Sequence, residues 1–134
     1  MNSRKNISSG AVWEGIVGYS RAVRIGQVVE VAGTTAVEGD EVLHPNDMYK
    51  QTFFALQKIE KALLEAGASL QDVVRTRIYV TDISRWEEAG RAHGEFFRDI
   101  RPAATMIQVS ALIRPELVVE IEASAIISSS TVYP

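Results

Sequence analysis

The run VVEIEASAII, residues 118–127, constrains the fold of this chain more than any other stretch. Val119, Ile121, Ala123, Ala125 and Ile127 share one face of an extended chain; Glu120, Glu122 and Ser124 share the other. A strand with one apolar face must bury it against another layer. The second face carries two carboxylates, so it meets either water or groups that answer the charge. Upstream, Ala104 to Val109 reads as another strand, joined to Val118–Ile127 by a short turn. Pro115 lies between them, where a fixed φ and a missing N–H suit a turn and not a ladder.

The remaining pattern supplies the covering layer. Met1 to Ser9 is polar and is expected to fray. Ser20–Ile25 and Val28–Gly33 read as strands flanking Gly26-Gln27, a two-residue hairpin turn with glycine first, as type II′ requires. Thr34, Thr35 and Val37 extend the second of these, and residues 38–41 signal a turn. Asn46 or Asp47 caps a helix running to about Ala66, with Tyr49, Phe53, Leu56, Ile59 and Leu63 as its apolar stripe and Gly67 as its stop. Val73–Val80 is a strand with Val74, Thr76, Ile78 and Val80 on one face and Arg75, Arg77 and Tyr79 on the other. Ser84 opens a second helix, with Glu87 completing a capping box. Its stripe is Trp86, Ala89, His93, Phe96 and Phe97.

The order β-β-(β)-α-β-α-β-β predicts an α+β fold, with both helices on one face of a mixed sheet. Arg75, Arg77, Glu120 and Glu122 then share the opposite face, as cross-strand pairs if their strands are neighbours. Read from the residues alone, that face is solvated and its ion pairs contribute roughly 0–1 kcal/mol each. The sharper reading is an interface between subunits.

At 134 residues the chain suits one domain, 1–134, large enough to bury a core. The net charge of −3 and the absence of a basic-aromatic patch argue against nucleic acid. There are no cysteines, which removes thiol chemistry and thiolate metal sites. No apolar run approaches membrane-spanning length and the first residues lack a signal-peptide core, so a cytoplasmic location is expected. His44 and His93 are far apart; His93 falls on a helix stripe and reads as a packed core histidine, so no metal site is expected. Trp13 beside Glu14 reads as an anchoring aromatic next to a surface acid. No HExxH, GxSxG, P-loop or GxGxxG pattern occurs.

Several pieces together resemble the RidA/YjgF family of reactive-intermediate (enamine/imine) deaminases. They are GYSRAV followed by a strand ending AGTT, the helix end LLEAGASLQDVV, RIYVTD, Phe96-Phe97, Pro102-Ala103 opening a strand, and VEIEA. The resemblance spans nearly the whole chain. It implies a chorismate-mutase-like fold, a homotrimer with intersubunit clefts, a small-molecule ligand and no cofactor. It also implies hydrolysis of an enamine or imine to a ketone and ammonia.

Carried over residue by residue, the resemblance makes Glu120 the catalytic carboxylate that positions or activates water. It assigns substrate binding to Tyr19, Gly33, Ala104, Thr105 and Met106. Tyr19 reads equally well as a strand-end tyrosine, Gly33 as a bulge glycine, and Glu120 as an ion-pair partner. Two positions depart from the pattern. Ala104 stands where the family places the arginine that clamps a substrate carboxylate, and Gly90 stands where an asparagine is frequent. Losing a charged hydrogen bond removes roughly 1.5–3 kcal/mol, or about ten- to 150-fold in affinity. Arg21, Arg24, Arg91 and Arg101 are the candidate substitute cations, though each reads first as an ordinary surface arginine. The leading expectation is therefore deamination of a substrate lacking the usual carboxylate. The alternatives are a non-catalytic binding or regulatory trimer and, more weakly, an endoribonuclease.

Overall fold

The computed structural model describes residues 3–128. In chain order the strands and helices are β1 (Arg4–Ile7), β2 (Ala22–Ile25), β3 (Val28–Thr34), β4 (Val37–Glu38), β5 (Glu41–Val42), α1 (Met48–Glu65), β6 (Val73–Val80), α2 (Trp86–Phe97), β7 (Ala103–Gln108) and β8 (Val119–Ile126). Six strands make one sheet in the order β1-β2-β3-β8-β6-β7, and β4 and β5 form a small separate hairpin. All neighbours are antiparallel except β6 and β7. This is the expected α+β architecture, a mixed sheet with two main helices on one face.

The alternation in β8 decides which face that is. Val119, Ile121, Ala123 and Ala125 are fully buried, and they pack with Leu56, Ile59 and Leu63 of α1 and Phe97 of α2. Asp47 caps α1 by accepting from the Lys50 amide. Gly67, at φ +87°, continues the chain past the helix end in a conformation L side chains rarely adopt. The α1 stripe is rotated from the expected one. Met48, Thr52, Ala55 and Ala62 share the core face, while Tyr49 and Phe53 sit at its border, where Phe53 meets Phe96 edge-on at 4.9 Å. His93 is the packed histidine expected: its Nε2 lies 2.9 Å from Thr76 Oγ1 and its ring 4.7 Å from that of Phe97.

Five expectations fail for local physical reasons. Ala104–Val109 and Val118–Ile127 are not a hairpin, because β6 lies between their strands. β7 returns through α2 to pair parallel with β6, a crossover that leaves it at the sheet edge. Pro115 does occupy a turn, closed by Leu117 N–H donating to Arg114 C=O. Val74 is exposed and Val73 buried in its place, because a bulge opposite β8 shifts the pleat by one residue. The capping box at Ser84 is absent. Asp82 accepts from the Ser84 amide, and a short 3₁₀ turn precedes α2. Trp86, at the first residue of α2, is consequently more than half exposed. Residues 4–7 do not fray; they form edge strand β1, with Arg4 opposite Ile25 and Ile7 opposite Ala22. Met1 and Asn2 lie outside the described residues.

The Gly26-Gln27 turn joins β2 and β3 with Gly26 at φ +60°, and Gln27 is not among the positive-φ residues, as type II′ demands. Among the described residues, no helix is long and apolar enough to cross a membrane.

Candidate active site

Glu120 and Glu122 stand on the face of β8 opposite the helices, and their surroundings differ. Glu122 faces Arg77 across the β8/β6 ladder, with Arg77 Nη1 3.6 Å from its Oε1. Both side chains are more than a third accessible, so the pair contributes about 0–1 kcal/mol. The expected cross-strand charge pair is therefore real and weak. Glu120 faces Tyr79 and has no ion-pair partner among the described residues. Its carboxyl is half-buried, and that burial raises its pKa above the ordinary carboxylate value. Arg21 opposes the rise and Glu122 adds to it.

The backbone of β3 makes room for this carboxyl. The β3/β8 ladder runs from Val28–Ile126 to Val31–Ala123, slips, and resumes at Thr34–Ile121. Gly33 sits within that irregularity. A Cβ at Gly33 would collide with Glu120 Oε2 and stand 3.1 Å from its Cδ. Glycine is thus required for close approach, the role a strand-interior glycine commonly has. Gly33→Ala should displace the Glu120 carboxyl while keeping the sheet. The expected result is an unchanged far-UV circular dichroism spectrum with activity reduced at least about tenfold, a modest share of what misplacing a reacting group can cost. Wild-type activity in this variant would mean that Glu120 does not work from the position seen here.

Arg21 completes the cluster. It lies just before β2, and its Nη2 donates to Gly33 C=O at 2.5 Å. Its Nε is buried without a hydrogen-bond partner. Burial pulls the guanidinium below its ordinary pKa; the charges of Tyr19, Glu14 and Glu120 push it back up. Tyr19 itself ends a π-helical turn, Glu14–Gly18, with its amide donating to Glu14 C=O. π-Turns recur at functional sites. Glu14 is not the surface acid expected but a buried one, accepting from the Ser9 amide at 3.0 Å and the Ser9 hydroxyl at 2.5 Å. Burial raises its pKa, but the bonds from Ser9 and Ser8 and the Arg21 charge outweigh this and hold it low. Trp13 is more than half exposed.

One chain therefore seats Glu120 against Gly33, with Arg21 on the Gly33 carbonyl, while Tyr19 lines a hollow with Arg77 and Glu122. Ala104, Thr105 and Met106 are elsewhere. They lie on β7, two strand spacings from β8, about 9.5 Å across the sheet. By register, Thr105 stands on the Glu120 face, accepting from Arg75 Nη2 at 2.8 Å. Ala104 and Met106 pair with Thr76 and Ile78 and point to the helix side. Gly90, on α2, is covered by the Trp86 ring, 3.7 Å from where a Cβ would be.

Of the other candidate cations, Arg24 donates to Ala66 C=O at the end of α1, Arg91 stacks over Tyr49 at 4.6 Å, and Arg101 donates to Arg98 C=O. Of these four, Arg21 is the one whose charge acts on Glu120. No cluster of three metal-ligating side chains occurs among the described residues.

The sequence model of the family described as Endoribonuclease L-PSP matches residues 11–127, nearly the whole of this α+β unit. The chain belongs to that family. Its resemblance to the RidA/YjgF proteins is the same relationship under another name. A crystal structure of a YjgF/YER057c/UK114 family member from Mycobacterium tuberculosis is 56% identical, with a TM-score of 0.86, covering 93% of this chain and 100% of that one. An uncharacterized protein of Streptomyces coelicolor is 36% identical over 121 residues, 90% of each chain. The 3-aminoacrylate deaminase RutC of Acinetobacter baylyi is 32% identical over 108 residues, 80% of this chain and 85% of its own. Within this L-PSP family member, the matched span contains Tyr19, Gly33, Ala104 and Glu120.

Proposed function

We propose that this L-PSP family protein hydrolyses a small enamine or imine to a ketone and ammonia, in clefts between copies of the chain. The observation that carries the reading is the Glu120 carboxyl, half-buried, without an ion-pair partner among the described residues and seated against Gly33, with the Arg21 charge acting on it. In this reading Glu120 takes a proton from water as the water oxygen bonds to the imine carbon. The imine nitrogen, already protonated, keeps the C=N electron pair and a neutral carbinolamine forms; the proton passes from Glu120 to nitrogen, and as the C–N bond breaks and ammonia leaves, the hydroxyl proton returns to Glu120 and the ketone C=O forms. An enamine first accepts a proton at carbon to become the imine. A carboxylate whose pKa lies above the ordinary range suits both transfers near neutrality. The deaminase name of the Acinetobacter relative supports the reaction class.

Ala104 bears on the substrate. Methyl cannot form the bidentate contact that a guanidinium makes with a carboxylate. The substrate is therefore an enamine or imine without the usual carboxylate handle. The test follows ammonia release from two freshly generated compounds: 2-aminoacrylate, and an uncharged imine produced by an amine oxidase. The uncharged imine should be consumed at least about tenfold faster than without protein, and 2-aminoacrylate should gain less, consistent with the missing contact. Acceleration of 2-aminoacrylate as large as that by an arginine-bearing family member would overturn the substrate assignment. Acceleration of neither compound would favour a binding module.

The assembly is part of the proposal. β7 is an open edge strand with Ala103, Ala104 and Thr105 exposed, and Ile107 is 46% and Ile113 81% accessible. Natural proteins rarely leave such an edge uncovered. A second copy placing its β7 beside Glu120 would cover the edge and bring Ala104–Met106 into the site. Light scattering should give a mass near three times 14.8 kDa. A stable monomer at micromolar concentration would remove the intersubunit cleft.

A further inference from the structure

We propose that Arg21 is a positioning residue for Glu120: its guanidinium, anchored on the Gly33 carbonyl behind the Glu120 carboxyl, fixes that carboxyl's seat and supplies the positive charge facing it. The inference rests on the reading that Glu120 moves the proton.

Three observations converge on it. Arg21 Nη2 holds Gly33 C=O at 2.5 Å, and Gly33 is the residue whose missing Cβ leaves space for the Glu120 carboxyl. Arg21 Nε is buried and unpartnered, so the side chain is not held there by a saturated network of its own. The charges that support it are those of Tyr19, Glu14 and Glu120, and the charge of Lys58 opposes it. Arg21 and Glu120 meet the same glycine from its carbonyl and its Cα sides, and an opposite charge placed nearby favours the ionised carboxylate. The other groups around Glu120 act differently. Glu122, on the same strand, disfavours its ionisation, and the Tyr79 phenol on β6 is itself pushed up by burial and by Glu122. Arg77 is engaged with Glu122. From α1, Lys58 donates to Thr35 C=O and Val37 C=O; its charge is opposed by that of Arg21. Glu14 is held by Ser9 and lies nearer Arg21 in its influence than Glu120. Among the described residues, Arg21 is therefore the cation that favours the ionised form of Glu120.

The test reads Glu120 directly, without substrate. Protein labelled with ¹³C at glutamate Cδ is titrated by NMR, and the Glu120 resonance is assigned by its loss in Glu120→Gln. The expected midpoint rises by about one unit or more in Arg21→Gln, and by less than half of that in Arg21→Lys, which keeps the charge. Where an activity is measured, the acid limb of kcat/KM moves to higher pH by the same amount. An unmoved midpoint in a folded Arg21→Gln would overturn the proposal and leave the deaminase reading intact. Conversely, shifted midpoints with no enamine or imine hydrolysis would sink the deaminase reading and keep the electrostatic one. If Arg21→Gln does not fold, the wild-type protein decides. A Glu120 midpoint above about 7, toward the range of carboxyls buried without a cation, would show that Arg21 does not hold it anionic.

Discussion

Glu120→Gln should lower the rate of any enamine or imine hydrolysis by about 10²–10⁴-fold, the usual share of a positioned general base. The amide keeps the shape of the side chain and cannot accept the proton. Stability should move the other way. Glu120 has a raised pKa in the folded protein, so folding favours its protonated form. Its stabilising contribution is complete below the unfolded carboxyl value and is lost as pH rises through the folded one. At neutral pH the neutral glutamine should therefore leave the melting temperature equal or slightly higher. Glu122→Gln is the control, because Glu122 lies on the same face, pairs weakly with Arg77 and acts on Glu120 only through its charge. It should change the rate less than about threefold, as befits an exposed ion pair. Equal damage from both substitutions would mean that the face works as a charged lattice and that Glu120 has no individual role.

The second large effect is on stability. Gln51, on α1, is fully buried. Its Nε2 donates to His44 C=O at 3.0 Å and Glu116 C=O at 2.9 Å, and its Oε1 accepts from the Val118 amide at 2.9 Å. One side chain thus ties α1 to the loop before it and to the segment that leads into β8. Gln51→Met keeps the volume and removes the bonds. The Val118 amide is then left without its acceptor. Such an unsatisfied buried donor costs about 1–3 kcal/mol. Each kcal/mol moves the midpoint of a domain this size by about 3–5 °C, so a loss of roughly 3–15 °C is expected by calorimetry. A change within about 2 °C would show that the loop relaxes to satisfy the amide by itself.

Much of this was legible in the residues because it depends on local pattern. The buried face of β8, the cap at Asp47, the stop at Gly67 and the Gly26-Gln27 turn each follow from period or from one residue's conformational preference. What was not legible depends on the sheet order. Alternation places Glu120 and Glu122 on one face and cannot say that β6 separates β8 from β7. Nor can it say that a bulge moves Val74 outward and seats Gly33 against Glu120. The resemblance, carried over position by position, named Tyr19, Gly33 and Glu120, and the structure seats Gly33 against Glu120. Arg21 was passed over as a surface arginine, although its place two residues after Tyr19, at the start of a strand, put it within reach. Gln51 carried no signal at all: a glutamine between apolar helix positions looks solvent-facing until its three backbone partners are seen. Glu14 was misread for the same reason, since its partner Ser9 belongs to a turn with no periodic signature.

The contact between Gly33 and Glu120 ties the histories of two positions 87 residues apart in the chain. A side chain can enter position 33 only if the acid at 120 shortens or turns away, and the acid can keep its present seat only opposite glycine. Across proteins of this fold the two positions should therefore change together. A lineage that has lost the glycine should have lost the glutamate's chemistry with it, whatever name it still carries.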